Sequence, residues 1–380
     1  MLKQVYSEKT VLEATQERIS YLFDEFEQII VSVSGGKDST VLAHLALLEA
    51  HKRNRKVGVF FLDEEAVYES TIDQIKYLMS LYPENTTRLW LQVEFNLTNS
   101  TSLTAGQLRA WEPGKGELWI HQKKRFAIQH KPWDEAHEKQ NGKNGLGFYE
   151  VLENWENSHH NTAFLVGIRA VESMNRWRAV SKSYGYKNIR WATKKPNNNY
   201  TFYPLYDWGF NDIWKYLAVN KIRYSKIYDY MYRKGMKLPD MRVSSLIHEK
   251  SYKSLVELPE FEPKTYNRLL KRVQGISIGN LYGHDKKMLR VQKLPKNFQS
   301  WQSYRDFLLK TYPDVERKGI FEKRFAKHFS CEYVAKQQCR QLVLNDYENN
   351  LTVDNKMEDP LEVENKRVRE EKLKKWMELL

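Results

Sequence analysis

Cysteine is nearly absent: among 380 residues only Cys331 and Cys339 occur. Counting alone then excludes a disulfide framework, a four-cysteine zinc site and a four-cysteine iron–sulfur cluster built by this chain. Long hydrophobic runs are missing as well. The longest, around 41–48 and 57–62, fall well short of the ~18 residues of a membrane span. The start, Met1-Leu-Lys-Gln-Val-Tyr, lacks the basic and apolar regions of a signal peptide, so the expectation is a cytoplasmic protein with no membrane partner. The histidines form no His-x-x-x-His pair with a nearby carboxylate, which sets aside a zinc hydrolase. No internal repeat, helix-turn-helix, zinc finger or RNA-recognition signature is present.

What is present is material for a core: hydrophobic residues make up 41% and aromatics 13%, while 29% charge supplies a solvated surface. The net charge of +13 is unevenly spread. Residues 1–160 sum to −5, residues 161–340 to +21 and residues 341–380 to −3. So much positive charge in the middle exceeds what solubility requires and suits a polyanion such as nucleic acid or clustered phosphates, with a diffusely basic surface as the alternative.

Apolar residues spaced by three and four from Val11 to Ile30 predict a leading helix. Ile29 to Val33 reads as a buried strand, Ser34 to Ser39 as a glycine-bearing turn, and Thr40 to Ala50 as an apolar helix. Val57 to Leu62 is a second strand, 67–81 is helical, and Leu89 to Phe95 a third strand. This alternation predicts an α/β fold with a mainly parallel sheet, where ligands bind at the carboxyl ends of the strands. Residues 98–160 break the rhythm with Gly, Pro and four scattered tryptophans and read as an insertion or lid. The alternation resumes with Ala163 to Arg169, a helix from about Ser173, a strand at Tyr200 to Tyr203 and a helix at Asn211 to Val219. The expected division is a nucleotide-binding domain over 1–240, a basic helical appendage over 241–345, and an acidic linker with a terminal helix over 346–380.

The segment Ser34-Gly35-Gly36-Lys37-Asp38-Ser39 carries the chemistry. Two glycines let backbone amides approach a ligand closely, and the helix that follows offers unpaired N–H groups and its positive dipole end, an arrangement suited to a pyrophosphate. Ser34, Ser39 and Thr40 add hydroxyls, Lys37 a charge, and Asp38 a candidate magnesium ligand. Neither Gly-x-x-x-x-Gly-Lys-Ser/Thr nor Gly-x-Gly-x-x-Gly occurs, which argues against γ-phosphate hydrolysis and against a dinucleotide fold.

With this loop, Gly167-Ile168-Arg169-Ala-Val-Glu172-Ser173-x-x-Arg176, and Tyr203-Pro204-Leu205-Tyr-Asp207-Trp208 followed by Asp212-Ile-Trp214-x-Tyr216, the chain resembles the PP-loop family of adenine-nucleotide α-hydrolase-like proteins, in its phosphoadenosine phosphosulfate (PAPS) reductase branch. The resemblance implies a Rossmann-like sheet of five parallel strands binding ATP or PAPS over the loop. It places Gly167 and Arg169 at the phosphates, Asp63 at a ribose or metal, and Glu69 downstream of the second strand; Glu172 and Arg176, four apart on a helix, would share a face and pair. It further resembles a subgroup of similar length, without an assigned substrate, often encoded beside a ParB-like/sulfiredoxin-like protein.

The reductases carry a Glu-Cys-Gly-Leu-His motif whose thiolate attacks sulfur, and that motif is absent here. What remains is a reaction needing no cysteine: attack on the α-phosphorus of ATP with release of pyrophosphate and adenylylation of a substrate, served by Lys37, Arg169, Glu172, Arg176 and Mg2+, with no iron–sulfur cluster. Two alternatives stand beside it, a PAPS or adenosine-phosphosulfate reductase using Cys331 or Cys339, and a nucleic-acid-binding regulator with a nucleotide switch site. For nucleic acid the candidates are Arg178, Lys182, Lys187, Arg190, Lys194 and Lys195, interleaved with Tyr184, Tyr186 and Trp191, whose rings could stack on bases. A second basic cluster comprises Arg268, Lys271, Arg272, Lys286, Lys287, Arg290 and Lys293.

Overall fold

Strands covered on both faces read as apolar runs without alternation, and β1 (Gln28–Ser32) and β2 (Val57–Leu62) have that character. A computed structural model places both inside one sheet. It describes residues 8–102, 106–138, 145–181, 185–238, 241–243, 245–248, 252–276, 294–347, 349, 351–360, 363 and 367–370. The remaining strands are β3 (Thr86–Leu91), β4 (Phe95–Thr98), β5 (Gln107–Ala110), β6 (Thr162–Val166), β7 (Ala192–Lys194) and β8 (Tyr200–Phe202). The main sheet runs β3-β2-β1-β6-β8-β7, and β4 pairs with β5 alone. Five strands are parallel, as the family resemblance implies, and β7 adds an antiparallel sixth at the edge.

The order reverses direction between β1 and β6, which opens a crevice at their carboxyl ends. Helix α1 (Val11–Glu25) starts at a capping box in which Thr10 and Glu13 satisfy each other's backbone N–H groups. Helix α2 (Lys37–Lys52) follows β1 and buries Val41, Leu42, Ala43, Leu45, Ala46, Leu47 and Ala50. Such near-continuous burial requires cover on several sides, and α2 contacts α1, the sheet and a later helix, α6 (Phe210–Val219). Between them come α3 (Glu69–Leu78), α4 (Phe148–Asn157) and α5 (Met174–Ser181); α7 (Ile227–Arg233), α8 (Tyr252–Phe261) and α9 (Pro263–Arg272) follow.

The expected third strand, Leu89 to Phe95, is two elements. After Leu91 the backbone leaves the sheet: the Gln92 N–H donates to Ile128 O, and its side chain is drawn to Asp63. Glu172 and Arg176 do not share a helix either. Glu172 ends a single 3-10 turn, Ser173 is extended, and α5 begins at Met174.

The contacts divide the chain into two compact units, the first containing 1–97, 109–246 and 258–272, the second 98–108, 247–257 and 273–380. Neither is one continuous stretch. Most of the former insertion, including α4 and Trp111, belongs to the first unit. The second contains α10 (Trp301–Lys310), α11 (Val315–Phe325) and α12 (Glu332–Val343), packed around Phe321, Phe325 and Leu342. Most of the expected terminal helix lies outside the described residues.

Candidate functional site

The turn after β1 needs its first glycine. Gly35 has φ +72, and a Cβ there would sit 2.8 Å from Thr71 Cγ2. Gly36 then caps α2 without a side-chain bond, and the first helical amide, Lys37 N–H, donates to the Tyr228 hydroxyl at 3.0 Å. Ser39 Oγ braces the turn by accepting from Ser34 N–H (3.2 Å) and donating to Gly36 O (3.1 Å). Gly167, at the end of β6, lies against the same helix start: a Cβ there would be 3.1 Å from Ser39 N and 3.2 Å from Asp38 O.

A chain of alternating charges lines this end of the sheet. Lys37 Nζ lies 3.2 Å from Asp38 Oδ2, and Asp38 Oδ1 is 2.5 Å from Arg169 Nε, an ion pair without hydrogen-bond alignment. Arg169 Nη2 donates to Glu172 Oε1 at 2.9 Å, and Glu172 also pairs with Arg176. The pairing expected of Glu172 and Arg176 is therefore present without the expected helix. Lys37 is only 4% exposed, and its ammonium lies over the rings of Phe210 and Tyr228. Burial pulls its pKa below the ordinary lysine value despite the neighbouring Asp38.

The cleft has a volume of about 370 Å3. Ser34, Gly36, Lys37, Asp38, Ser39, Gly167, Glu172 and Arg176 line it, joined by Thr71, Phe148, Leu152, Tyr228 and Arg242. The last five were not foreseen. Tyr228 is one of 23 tyrosines and Arg242 one cation in a basic half, so no local pattern marks either.

Three expected ligand contacts are corrected. Asp63 is fully buried: Oδ2 accepts from Trp90 Nε1 and Gln92 Nε2 at 2.8 Å, and Oδ1 accepts from Glu65 N–H and lies 3.2 Å from His121 Nε2. With its lone pairs committed, it holds the end of β2 and has none to offer a ribose or a metal. Glu69 is exposed at the start of α3, outside the cleft lining, where its N–H donates to Glu262. Thr40 is buried beneath the loop and accepts from Gln74 Nε2 at 3.3 Å.

Magnesium does not fit the predicted ligands. Asp38 spends one oxygen on Lys37 and the other on Arg169, and Asp63 is committed as described. No group of three or more His, Cys, Asp or Glu side chains converges on a metal position among the described residues.

The basic clusters also change meaning. Tyr186 packs against Phe26, Tyr200 and Phe202 and donates its O–H to Glu25, so its ring belongs to the core edge, while the half-buried Trp191 lies against Phe202. Lys187 pairs with Glu25 and Lys195 with Glu156. Arg178, Arg190 and Lys194 are exposed; Lys182 and Tyr184 lie outside the described residues. In the second cluster Lys271 and Arg268 are exposed, with one Arg268 N–H donated to Ile120 O, but Arg272 grips Glu65 with its side chain 4% exposed and is not available to a polyanion. Lys286, Lys287, Arg290 and Lys293 are outside the described residues.

Residues 28–235 match the phosphoadenosine phosphosulfate reductase domain, and residues 235–373 match a domain of unknown function, DUF3440. The uncharacterized protein YbdN of Escherichia coli (strain K12) is 30% identical over 311 residues, covering 80% of this chain and 76% of that protein. Among solved structures, PAPS reductase from Candida auris in a phosphate complex is similar with a TM-score of 0.36 and 13% identity, covering 64% of this chain and 97% of that one. FMN adenylyltransferase from Candida glabrata with FMN and the ATP analogue AMPCPP gives a TM-score of 0.34 and 16% identity, covering 60% and 64% respectively. One family thus spans more than half of the sequence, from β1 through α7, and the chain belongs to the phosphoadenosine phosphosulfate reductase domain family.

Proposed function

We propose that the chain binds ATP in the cleft at the β1–α2 loop and cleaves it between the α- and β-phosphates, transferring AMP to an acceptor. The observation that carries this reading is that Lys37, Arg176 and Arg242 line one cleft with a glycine-bearing loop at a helix N-terminus, with Arg169 buried behind it on Asp38 and Glu172. An acceptor oxygen would form a bond to the α-phosphorus as the bond to the α–β bridging oxygen breaks. Pyrophosphate leaves with that electron pair, and the acceptor proton passes to water.

In such a displacement the protein's work is positioning and charge stabilisation. The α2 amides and Lys37 would hold the departing pyrophosphate. Arg169 is 3% exposed and outside the cleft lining, so its part would be to hold Asp38 and Glu172 in place, leaving Arg176 and Arg242 to meet the α-phosphoryl oxygens. No thiol takes part in this scheme. Cys339 is fully buried, and burial pushes its thiol up to about 12, opposing the thiolate a reductase mechanism needs.

The test is incubation with α-labelled ATP in magnesium-containing buffer, with RNA, DNA or a deproteinised small-molecule extract as acceptor. Labelled AMP or an adenylylated product is expected, lost in Lys37→Ala. Intact ATP with every acceptor would overturn the proposal.

A further inference from the structure

Charges around the loop do not balance. Four cations, Lys37, Arg169, Arg176 and Arg242, meet two carboxylates, Asp38 and Glu172, which are already committed to the first three. Of the other lining carboxylates, Glu156 pairs with Lys195 at 2.7 Å, and Glu64 is engaged in an interaction of its own. Arg242 has no carboxylate partner among the described residues. It nevertheless lines the same cleft as Lys37 and Arg176, whose pKa values are lowered chiefly by burial and further by the charge of Arg242, a repulsion that an anion would relieve.

The segment bearing Arg242 is anchored. Met241 is buried before it, Leu246 N–H donates to Ala66 O at 2.7 Å, and Ser245 Oγ donates to the same oxygen at 3.2 Å. An anchored, uncompensated guanidinium in a cleft is a built feature, because unpaired charge near low-dielectric walls is costly unless a ligand completes it.

Tyr228 stands beside it on α7, 3% exposed. Its hydroxyl oxygen accepts from Lys37 N–H at 3.0 Å, and among the described residues its own proton has no acceptor. Burial raises this phenol far above its ordinary pKa despite the nearby arginines, so it remains a neutral O–H donor.

We infer that Arg242 and Tyr228 form a recognition wall for the anionic end of the substrate: Arg242 neutralises it, Tyr228 donates to it, and the cleft takes a phosphate ester or anhydride carrying at least two negative charges there. The inference rests on the nucleotide-binding reading for the identity of the whole ligand, but not for the anion.

Titration calorimetry of the full chain tests it, with ATP, AMP, adenosine and inorganic pyrophosphate offered to wild type, Arg242→Gln, Arg242→Lys and Tyr228→Phe. Thermal unfolding shows whether each variant is folded. Losing a charge-assisted bond predicts about tenfold to a hundredfold weaker binding of ATP and pyrophosphate by Arg242→Gln. Arg242→Lys falls between, Tyr228→Phe weakens binding roughly threefold to tenfold, and any adenosine affinity is unchanged. ATP affinity within twofold of wild type in both folded Arg242→Gln and Tyr228→Phe overturns the inference while leaving nucleotide binding intact. Pyrophosphate binding that is sensitive to both variants, with no gain from adenosine in ATP, supports the wall and removes the nucleotide reading. Wild type that binds none of the phosphates overturns both.

Discussion

Arg272 holds Glu65 with two nitrogens, Nε to Oε1 at 2.8 Å and Nη2 to Oε2 at 3.2 Å, across 207 positions of sequence. Glu65 is fully buried, and its oxygens also accept from Trp111 N–H and more loosely from Ile120 N–H. The pair joins the turn after β2 to the end of α9, beside Asp63 and its own buried network. Removing one partner leaves the other charge buried without compensation. Arg272→Met is therefore expected to destabilise by about 3–5 kcal/mol, read as a lowered urea midpoint. Arg272→Lys should recover little, because an ammonium cannot reproduce the fork. An unchanged midpoint in Arg272→Met would show that the pair does not hold the turn.

Gly35 separates backbone strain from crowding. Alanine there must adopt φ +72 and also meet the Thr71 methyl. Gly35→Ala should cost about 1–3 kcal/mol and weaken ATP binding by moving the loop. Adding Thr71→Ser removes the methyl but not the strain, so the double variant should recover only part of the loss. Full recovery in equilibrium unfolding would mean that the left-handed conformation is not required.

Legibility in the sequence follows from how local the cause is. Strands β1 and β2 are short apolar runs around a turn whose glycines sit next to the helix they start, so the core of the sheet and the anion loop are readable from neighbours alone. Arg169, Glu172 and Arg176 lie within eight residues and come together as the motif suggests. Asp63 is legible as a strand-end carboxylate but its buried network is not, because Trp90, Gln92 and His121 reach it only through the tertiary fold. The same holds for Arg272, whose position in a basic cluster conceals a buried carboxylate 207 residues away. Tyr228 and Arg242 enter the cleft from ordinary-looking segments after the last strand. The edge strand β7 is three residues long, too short to carry a periodicity.

Cys339 offers a test of the cysteine argument. Its thiol is fully buried, pushed up to about 12 by loss of hydration, and directed at Trp301 O at 3.5 Å. At pH 8 an aromatic disulfide reagent should leave it unmodified in the folded protein and label it after urea unfolding. Peptide mapping identifies the labelled site. Rapid native labelling of Cys339 would reopen a thiol-dependent reaction, as would loss of ATP cleavage in a folded variant combining Cys331→Ser with Cys339→Ala.

Lys37 sets function against stability. Its pKa is lowered chiefly by burial, so the unfolded chain holds the proton more tightly than the folded one. Below the folded value both states are charged and the full cost of burying the ammonium is present. As pH rises through the folded value toward 10.5, the folded state loses its proton first, and stability from this group increases. Lys37→Met, which keeps the stem and discards the charge, should raise ligand-free stability near pH 7 by about 0.5–2 kcal/mol while abolishing ATP binding. Its advantage over wild type should shrink as pH climbs toward the lysine range, a trend measurable by urea unfolding at a series of pH values. A stability gap that is constant or widens with pH would contradict a depressed lysine at the head of α2.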